Sequence, residues 1–250
     1  MAKVHLLGTG AALSDKSRTT TMLALEGEES LLLVDCGGDA AQRLLANDLD
    51  LTKVSGLIAT HEHADHIGGL ALLMERLWLA GHKRKFDVFG IRAALDQARR
   101  VHDAFDTAEW PGYPEIRYHE VERALGAPVL TNEDFEITAV PGDHAVPVIG
   151  LRVTDKRSGS VLAYSCDTEF SETVVEGERG ADLLVHEASG AFPGHSTGAD
   201  AAAVASRAGA KRLVLVHIPP QRDGGAALLV SARAGFAAAE LGADGDVHEF

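Results

Sequence analysis

The sequence predicts an α/β protein with the architecture of a four-layer αββα sandwich, in which two sheets pack face to face and helices cover both outer surfaces. The order of local patterns carries this prediction: strands dominate at first, a helix, a strand and a helix follow, strands return, and strands then alternate with helices. A doubly wound sheet is disfavoured because Gly8-Thr9-Gly10 lacks the third glycine of a dinucleotide-binding loop and instead predicts a tight turn. We expect one domain over residues 1–250.

Short apolar runs bounded by glycine-rich or charged turns predict the strands. In chain order these are Val4–Leu7, Thr21–Leu25, Leu31–Asp35, Val54–Ala59, Phe86–Phe89, Ile116–Val121, Phe135–Val140, Val148–Val153, Val161–Ser165, Leu183–His186 and Leu213–Val216. Apolar residues at helical spacing, or an alanine-rich composition, predict the helices. These are Ala40–Ala46, Leu70–Leu79, Ile91–Phe105, Ala199–Ala208 and Ala226–Leu241.

Four residues of metal-ligand type lie within the hexapeptide His61-Glu62-His63-Ala64-Asp65-His66, which follows a predicted strand directly. Two imidazoles one residue apart at a strand end point to the same side, and Asp65 and His66 fall where a helix begins. One hexapeptide can therefore present ligands to two divalent ions. A solvated histidine-rich loop is the alternative, but it does not explain the apolar strand. The zincin pattern H-E-x-x-H would need histidine at position 65, so Glu62 is expected to face outward.

Several later strands also end in residues of ligand type. The segments are Pro141-Gly142-Asp143-His144, Cys166-Asp167-Thr168, His186-Glu187-Ala188 and His217. Each one alone predicts only a hydrogen-bonded polar group at a strand end. Together with the hexapeptide, they indicate a rim where strand ends converge on a metal centre.

The composition restricts the partners and the compartment. A net charge of −14 disfavours a broad grip on nucleic acid, which relies on Lys and Arg to neutralise phosphates, although bound divalent cations would reverse the field locally. The only basic run is Lys83-Arg84-Lys85. We expect it to cap and solubilise the end of the preceding helix and not to bind phosphate. With two cysteines, no secretory signal pattern and no apolar stretch of membrane-spanning length, the chain is predicted to be cytoplasmic and free of the membrane.

The candidate ligands resemble, in type and order, the ligand set of the metallo-β-lactamase superfamily. They are His61, His63, Asp65, His66, His144, Asp167 and His217. The resemblance implies the metallo-β-lactamase fold and two divalent metal ions, with zinc expected and manganese or iron as alternatives. It assigns His61, His63 and His144 to one ion, and Asp65, His66 and His217 to the other, with Asp167 bridging them. Asp35, in a segment that resembles the family's first motif, would orient one of the ligands.

Two further segments resemble ribonuclease Z-like phosphodiesterases, and the similarity extends from Val4 to His217. The segments are Leu184-Val185-His186-Glu187-Ala188 and Gly194-His195-Ser196-Thr197. The resemblance implies that His195 donates a proton or hydrogen bond beside the scissile phosphate and that Glu187 orients it. Asp65 would orient or deprotonate the attacking water. The alternative for His195 is a structural place beside a helix cap formed by Ser196 or Thr197.

Two departures from the family pattern matter. Ribonuclease Z carries a long arm that clamps tRNA between the equivalents of His144 and Asp167, whereas only 22 residues separate those positions here. The interval suits two strands and a turn. In addition, Cys166 stands before the predicted bridging aspartate, where relatives commonly carry glycine. Its thiol could reach a metal or could simply be a small packing residue.

We therefore predict a dinuclear metal-dependent hydrolase, in first place a phosphodiesterase that acts on a small or nucleotide-type phosphodiester through a metal-bridging hydroxide, with tRNA disfavoured. The alternatives are a lactonase, thioesterase or arylsulfatase on the same metal site, a true ribonuclease Z-type RNA 3′-processing endonuclease, and a non-catalytic scaffold. The resemblance also suggests a homodimer, for which the apolar helix Leu70–Leu79 with Trp78 is a candidate surface.

Overall fold

Two seven-stranded sheets form the centre of the computed structural model, which describes residues 1–221, 223 and 225–250. The strands are β1 Lys3–Gly8, β2 Met22–Glu26, β3 Leu31–Val34, β4 Val54–Ala59, β5 Phe86–Gly90, β6 Ile116–Glu120, β7 Pro128–Thr131, β8 Phe135–Pro141, β9 Ile149–Asp155, β10 Val161–Tyr164, β11 Leu183–Glu187, β12 Leu213–Val216, β13 Ala239–Leu241 and β14 Val247–Glu249. One sheet has the order β14-β1-β2-β3-β4-β5-β6 and the other β13-β12-β11-β10-β9-β8-β7.

Each sheet is antiparallel in one half and parallel in the other. In the first sheet β1, β2 and β3 are antiparallel neighbours, and β3 to β6 run parallel. In the second sheet β7 to β10 are antiparallel, and β10 to β13 run parallel. The parallel halves require crossover connections, which the helices provide.

The helices connect the parallel strands and cover the outer faces. They are α1 Ala40–Ala46, α2 Ala64–Ile67, α3 Leu70–Leu79, α4 Arg92–His102, α5 Glu172–Gly177, α6 Gly198–Ala208 and α7 Ala226–Gly235. Their starts follow from local chemistry: the Asp39 carboxylate accepts the Gln42 backbone N–H at 3.0 Å before α1, and Thr197 and Asp200 form a capping box before α6. The apolar residues of both inner sheet faces form a continuous buried core, and a second apolar cluster lies beneath α5 to α7. The predicted four-layer αββα sandwich is thus confirmed.

The prediction of one long helix over Ala226–Leu241 was wrong. Helix α7 ends at Gly235, the chain turns at Phe236, and Ala239–Leu241 pairs with β12 as a parallel strand. An alanine-rich composition favours helix throughout this segment, but pairing with an exposed sheet edge overrides it. The helix predicted over Ile91–Phe105 is shorter, because α4 ends at His102.

Three strands and one helix had no counterpart in the predictions. Strands β7, β13 and β14 are three or four residues long and lie at sheet edges, where one side is solvated and the apolar pattern is weak. Helix α5 spans only six residues. No helix in the described residues combines the length and apolarity needed to cross a bilayer.

Strands β3, β4, β8, β10, β11 and β12 all end at the same rim of the sandwich. Polar residues follow each of them or form their last position, so side chains from both sheets converge there. This rim holds the hexapeptide and the later segments that the sequence singled out.

Candidate metal centre

The hexapeptide follows β4 and enters helix α2, with His63 at the N-cap position. Its backbone is fixed against the turn after β3: Cys36 N–H donates to the His66 carbonyl at 2.7 Å, and Gly69 N–H donates to the Cys36 carbonyl at 2.8 Å. A Cβ atom on Gly37 would lie 1.7 Å from the Asp65 carbonyl oxygen, so this close approach requires glycine. The turn thereby holds both Asp65 and His66 at the rim.

The first group of candidate ligand atoms joins the hexapeptide to β8 and β10. His63 Nδ1 lies 3.1 Å from His61 Nε2 and 3.3 Å from His144 Nε2. Asp167 Oδ2 lies 3.8 Å from His61 Nε2 and 3.9 Å from His144 Nε2. In a tetrahedral zinc site with bonds of about 2.0–2.1 Å, ligand atoms lie roughly 3.3–3.4 Å apart. The two distances between imidazole nitrogens match that spacing closely, and the two distances to the carboxylate oxygen exceed it by about 0.5 Å.

The second group has the same character and joins the hexapeptide to β12. His217 Nε2 lies 3.3 Å from Asp65 Oδ2, and His66 Nε2 lies 3.5 Å from the same oxygen. Asp167 Oδ1 is 3.5 Å from both imidazole nitrogens. Asp167 therefore turns one carboxylate oxygen to each group, which is the geometry that a bridging ligand requires.

The chemistry of these atoms fits divalent cations. His66 Nε2 and Asp167 Oδ1 are buried and make no hydrogen bond to any described residue, although burial without a partner is costly for such atoms. Burial, followed by the neighbouring imidazoles, holds the pKa of His61 well below its usual range, so this side chain is neutral and able to bind a metal. Although burial raises the pKa of Asp167, His217 and His66 outweigh it and hold the pKa well below the ordinary value. An ionised carboxylate together with imidazoles is a typical zinc ligand set.

The opposite ring nitrogens of four candidate ligands are hydrogen-bonded, which fixes their tautomers. His144 Nδ1 donates to the Gly194 carbonyl at 2.7 Å, and His217 Nδ1 lies 2.6 Å from Ser189 Oγ, which itself donates to the His217 carbonyl. His66 Nδ1 donates to Asp35 at 2.8 Å. His61 Nδ1 lies 3.0 Å from Thr60 Oγ1. With Nδ1 protonated, each Nε2 presents its lone pair to the centre.

Asp35 has the orienting place that the resemblance implied. Its buried carboxylate accepts the Thr60 backbone N–H at 2.9 Å in addition to the His66 contact. Burial raises the pKa of Asp35, against the opposing effect of His66. Asp35, Cys166 and His217 are three of the four non-glycine residues with positive φ in the described part of the chain, at 61°, 52° and 55°. Such a conformation costs roughly 1–2 kcal/mol per residue, so the turns at this rim are strained.

The Cys166 thiol lies near His61 and His66, and by spacing alone the three residues could form a further metal-binding group, but it belongs to neither group described above. Its Sγ is 3.1 Å from Thr60 Oγ1 and 3.6 Å from His61 Nδ1, the nitrogen that points away from the centre. Burial raises the pKa of the Cys166 thiol to about 12. These contacts favour the prediction of a packing residue over that of a metal ligand.

His195 lies at the open side of the centre and pairs with Glu187. Its Nδ1 donates to Glu187 Oε1 at 2.9 Å, and its ring stacks on that of His217 with centroids 5.6 Å apart. Glu187 is fully buried and accepts backbone N–H groups from Thr168 at 2.9 Å and Ser189 at 3.0 Å. This hydrogen bond to Glu187 raises the pKa of His195. The helix-cap alternative also holds in part, because Thr197 caps α6.

Several residues of the centre were missed from sequence. Ser189 and Thr60 hold His217 and His61, and Glu169 accepts the Gly194 N–H at 2.6 Å, which fixes the turn before His195. Ser and Thr are common in turns, so their types alone gave no indication of these contacts. The only sequence signal for these two contacts is position, since Ser189 lies two residues after Glu187 and Thr60 lies one residue before His61. His186 is buried, with Nδ1 2.8 Å from the Glu187 carbonyl, and is not among the candidate ligands.

Comparisons with known proteins identify the family and the fold of this chain. The Beta-lactamase superfamily domain matches residues 31–218. Ribonuclease Z of Synechococcus sp. is 30% identical over 97% of this chain and 94% of that protein, and ribonuclease Z of Methanothermobacter thermautotrophicus is 27% identical over 98% and 95%. The metallo-β-lactamase fold protein YhfI from Bacillus subtilis superposes with a TM-score of 0.83 at 23% identity, covering 99% of this chain and 98% of that one.

The Synechococcus alignment runs over 308 positions, more than the 250 residues of this chain, so that relative has segments that this chain lacks. The family match, the curated relatives and the αββα sandwich together show that this chain belongs to the metallo-β-lactamase superfamily and is a metal-dependent hydrolase of its ribonuclease Z-like branch.

Proposed function

We propose that this chain hydrolyses phosphodiester bonds in RNA at a centre that binds two divalent ions. Its similarity to proteins named ribonuclease Z supports RNA as the substrate. The ligands in this proposal are His61, His63 and His144 for one ion, Asp65, His66 and His217 for the other, and Asp167 for both. The observation that carries the proposal is the pair formed by His195 and Glu187 beside the Asp167 carboxylate. A positioned proton donor suits the strongly basic alkoxide that leaves from RNA, whereas the thiolate of a thioester or the aryl oxide of an aryl ester has less need of one.

The protein side chains perform three tasks in this proposal. Two bound divalent ions, with zinc expected, would activate water and stabilise the charge that develops on the phosphoryl oxygens. Glu187 holds His195 through Nδ1, so that the Nε2–H of the imidazolium is free to donate to the leaving oxygen. Asp65 orients the attacking water. Although burial raises the pKa of Asp65, its contacts with His217 and His66 hold that pKa well below the ordinary value, so orientation suits it better than proton removal.

RNA is the first candidate substrate, ahead of a small phosphodiester, because the similar proteins are named ribonuclease Z. The prediction that tRNA is disfavoured finds no support among these relatives. A small or nucleotide-type phosphodiester is the second candidate, for two reasons particular to this chain. Residues 156–160 connect β9 to β10 in a tight hairpin, where ribonuclease Z by resemblance has its clamping arm. The net charge of −14 also weakens long-range attraction of RNA.

The experiment is a comparison of two substrates with the zinc-reconstituted protein. We expect a single endonucleolytic cut in a 3′-extended tRNA transcript, together with turnover of bis-p-nitrophenyl phosphate. Turnover of the small ester with the transcript left intact would favour the second candidate. Hydrolysis of neither, alongside activity on a lactone or thioester, would contradict both. Asp167→Ala protein, prepared in parallel, controls for contaminating nucleases.

A further inference from the structure

A cleft of about 400 Å³ opens beside His195. His195 forms one wall, and the exposed ring of Phe192 forms another. In the proposed function, the cleft therefore adjoins the imidazole that donates to the leaving group of a bound phosphodiester. Its volume lies within the range of small-ligand pockets, about 300–1,000 Å³.

The turn that carries Phe192 is tied down by hydrogen bonds. Phe192 N–H donates to the Gly190 carbonyl at 2.8 Å, and its own carbonyl accepts the His195 N–H at 3.0 Å. Gly194 N–H donates to Glu169 Oε1 at 2.6 Å. Phe192 is 63% exposed, although its backbone is anchored three residues from His195. An isolated exposed apolar side chain is common, but this one lines a cleft that opens on the site.

The charges around the cleft limit what can occupy it. Glu169 and Asp200 both line it. Each uses one carboxylate oxygen for backbone or hydroxyl donors, Glu169 for Gly194 and Asp200 for Thr197, which leaves the other oxygen for a donor from outside. A second phosphate would be repelled by these carboxylates, whereas a neutral ring with N–H groups would be accepted.

The second aromatic residue of the cleft, Phe170, is less available than Phe192. The guanidinium of Arg207 lies 5.4 Å from its ring centroid and is itself held by Glu172 through contacts of 2.7 and 2.6 Å. Arg207 is thus paired with Glu172, and it is not among the residues that line the cleft. The cleft consequently offers the exposed Phe192 side chain and acidic acceptors, and its one cationic lining residue, His195, is already engaged by Glu187.

We propose that this cleft binds a nucleobase of the substrate, which stacks on Phe192 and donates from its exocyclic amino group to Glu169 or Asp200. The inference rests on the proposed function and gives it a specificity-determining residue. Stacking of a base on an aromatic side chain contributes enough to change affinity by about tenfold or more.

Binding of two probes to the zinc-reconstituted protein tests the inference without requiring turnover. Adenosine 5′-monophosphate carries a base, and ribose 5-phosphate lacks one but keeps the phosphate. By isothermal titration calorimetry we expect the nucleotide to bind at least about tenfold more tightly. Phe192→Ala should abolish this difference, and Phe192→Tyr should keep it.

Phe105→Ala is the matched control, because Phe105 is 62% exposed and lies at the C-terminal side of α4, outside the lining of this cleft. It should keep the wild-type preference. Equal binding of the two probes by the wild type, or an unchanged preference in Phe192→Ala, would overturn the inference. Failure of the protein to cleave any phosphodiester would instead sink the proposed function, and the binding comparison would still decide the role of Phe192.

Discussion

The proton of His195 matters most when the leaving group is strongly basic. We predict that His195→Ala lowers kcat on RNA, whose leaving group is an alkoxide, by about 100-fold or more. The loss on bis-p-nitrophenyl phosphate should be smaller, because p-nitrophenolate departs with little help from an acid. Initial rates on both substrates measure this difference. Metal content should be unchanged, and His119→Ala, on the exposed strand β6, should behave as the wild type.

The same side chain sets a pH dependence. Since its contact with Glu187 raises the pKa of His195, the imidazolium persists to higher pH than an isolated histidine would allow. The rate of RNA cleavage should therefore stay constant at pH values below the raised pKa of His195 and fall as the pH rises through that pKa. His195→Ala should lose this alkaline decline, and a mutant that kept it would assign the decline to another group.

Asp167 supports both groups of candidate ligands, so its loss should affect both ions. We predict that Asp167→Ala retains fewer than about one metal per chain after dialysis, against about two for the wild type, as measured by elemental analysis. Its Oδ1 and Oδ2 face different histidines, and no other described residue bridges the two groups in this way. Asp87→Ala, at the exposed pair with Arg117, is the control. Wild-type stoichiometry in Asp167→Ala would contradict the bridging assignment.

The sequence predicted the candidate ligands at the residue scale because their types are rare in combination and their spacing is short. The four hexapeptide residues lie together by local geometry alone, and the other three lie at ends of buried strands. Ser189 and Thr60 could not be found in this way. Their contacts depend on backbone turns whose φ angles are set by packing, as the positive φ of His217 illustrates.

At the scale of elements, the strands inside the sheets were predictable, whereas of the four edge strands only β6 was predicted. An interior strand such as β12 is buried at every position, which gives a continuous apolar run. Strand β14 is paired on one side only and alternates between exposed and half-buried residues, so its sequence looks like a loop. Long-range pairing with β1, more than 230 residues earlier, decides its conformation.

Helix α5 ends beside a buried carboxyl group that makes no hydrogen bond to any described residue. Burial raises the pKa of Glu178 well above its ordinary value, whereas in the unfolded chain it ionises near 4.5. Stability is therefore lost as the pH rises above the unfolded pKa, because only the unfolded state gains from ionisation. We predict that Glu178→Gln raises Tm at pH 8 and leaves it nearly unchanged at pH 4.

Differential scanning calorimetry across this pH range measures the effect, and each gain of about 1 kcal/mol corresponds to roughly 2–4 °C for a chain of this size. Glu176→Gln is the control, since Glu176 is exposed and pairs with Arg179 on the surface. A gain in Tm that did not grow with pH would show that ionisation of Glu178 is not the cause.

At the scale of the whole molecule, the proposed ions would join the two sheets. The hexapeptide extends from the first sheet, whereas His144, Asp167 and His217 extend from the second. We predict that a chelator lowers Tm by several degrees and that zinc restores it, because a ligand bound only to the folded state stabilises it by about 4 kcal/mol at a thousand times its Kd. Asp167→Ala should show no such response, and a chelator-independent Tm in the metal-replete wild type would contradict the prediction.

The homodimer stays a prediction. The structure indicates that exposed leucines of α3, and not Trp78, are the residues to substitute in a test of it. Trp78 packs against Trp110 at 4.9 Å within the chain and donates to the Pro111 carbonyl, whereas Leu72 and Leu79 of α3 are exposed. If α3 forms the interface, Leu72→Glu should convert a dimer to a monomer in sedimentation velocity. Leu45→Glu, at an exposed site on α1, should not. A wild-type monomer at all concentrations would refute the dimer.

The left-handed backbone at Asp35, Cys166 and His217 should make variants selected for folding differ from variants selected for hydrolysis. A library of variants selected only for folding should enrich glycine or asparagine at all three positions, since these residues adopt that conformation at lower cost. Selection for hydrolysis should keep Asp35, which holds His66, and His217, which faces the centre. Only Cys166 should be replaced by glycine under both selections. The ratio of glycine enrichment between the two selections would therefore identify the strained residues that are kept because hydrolysis requires them.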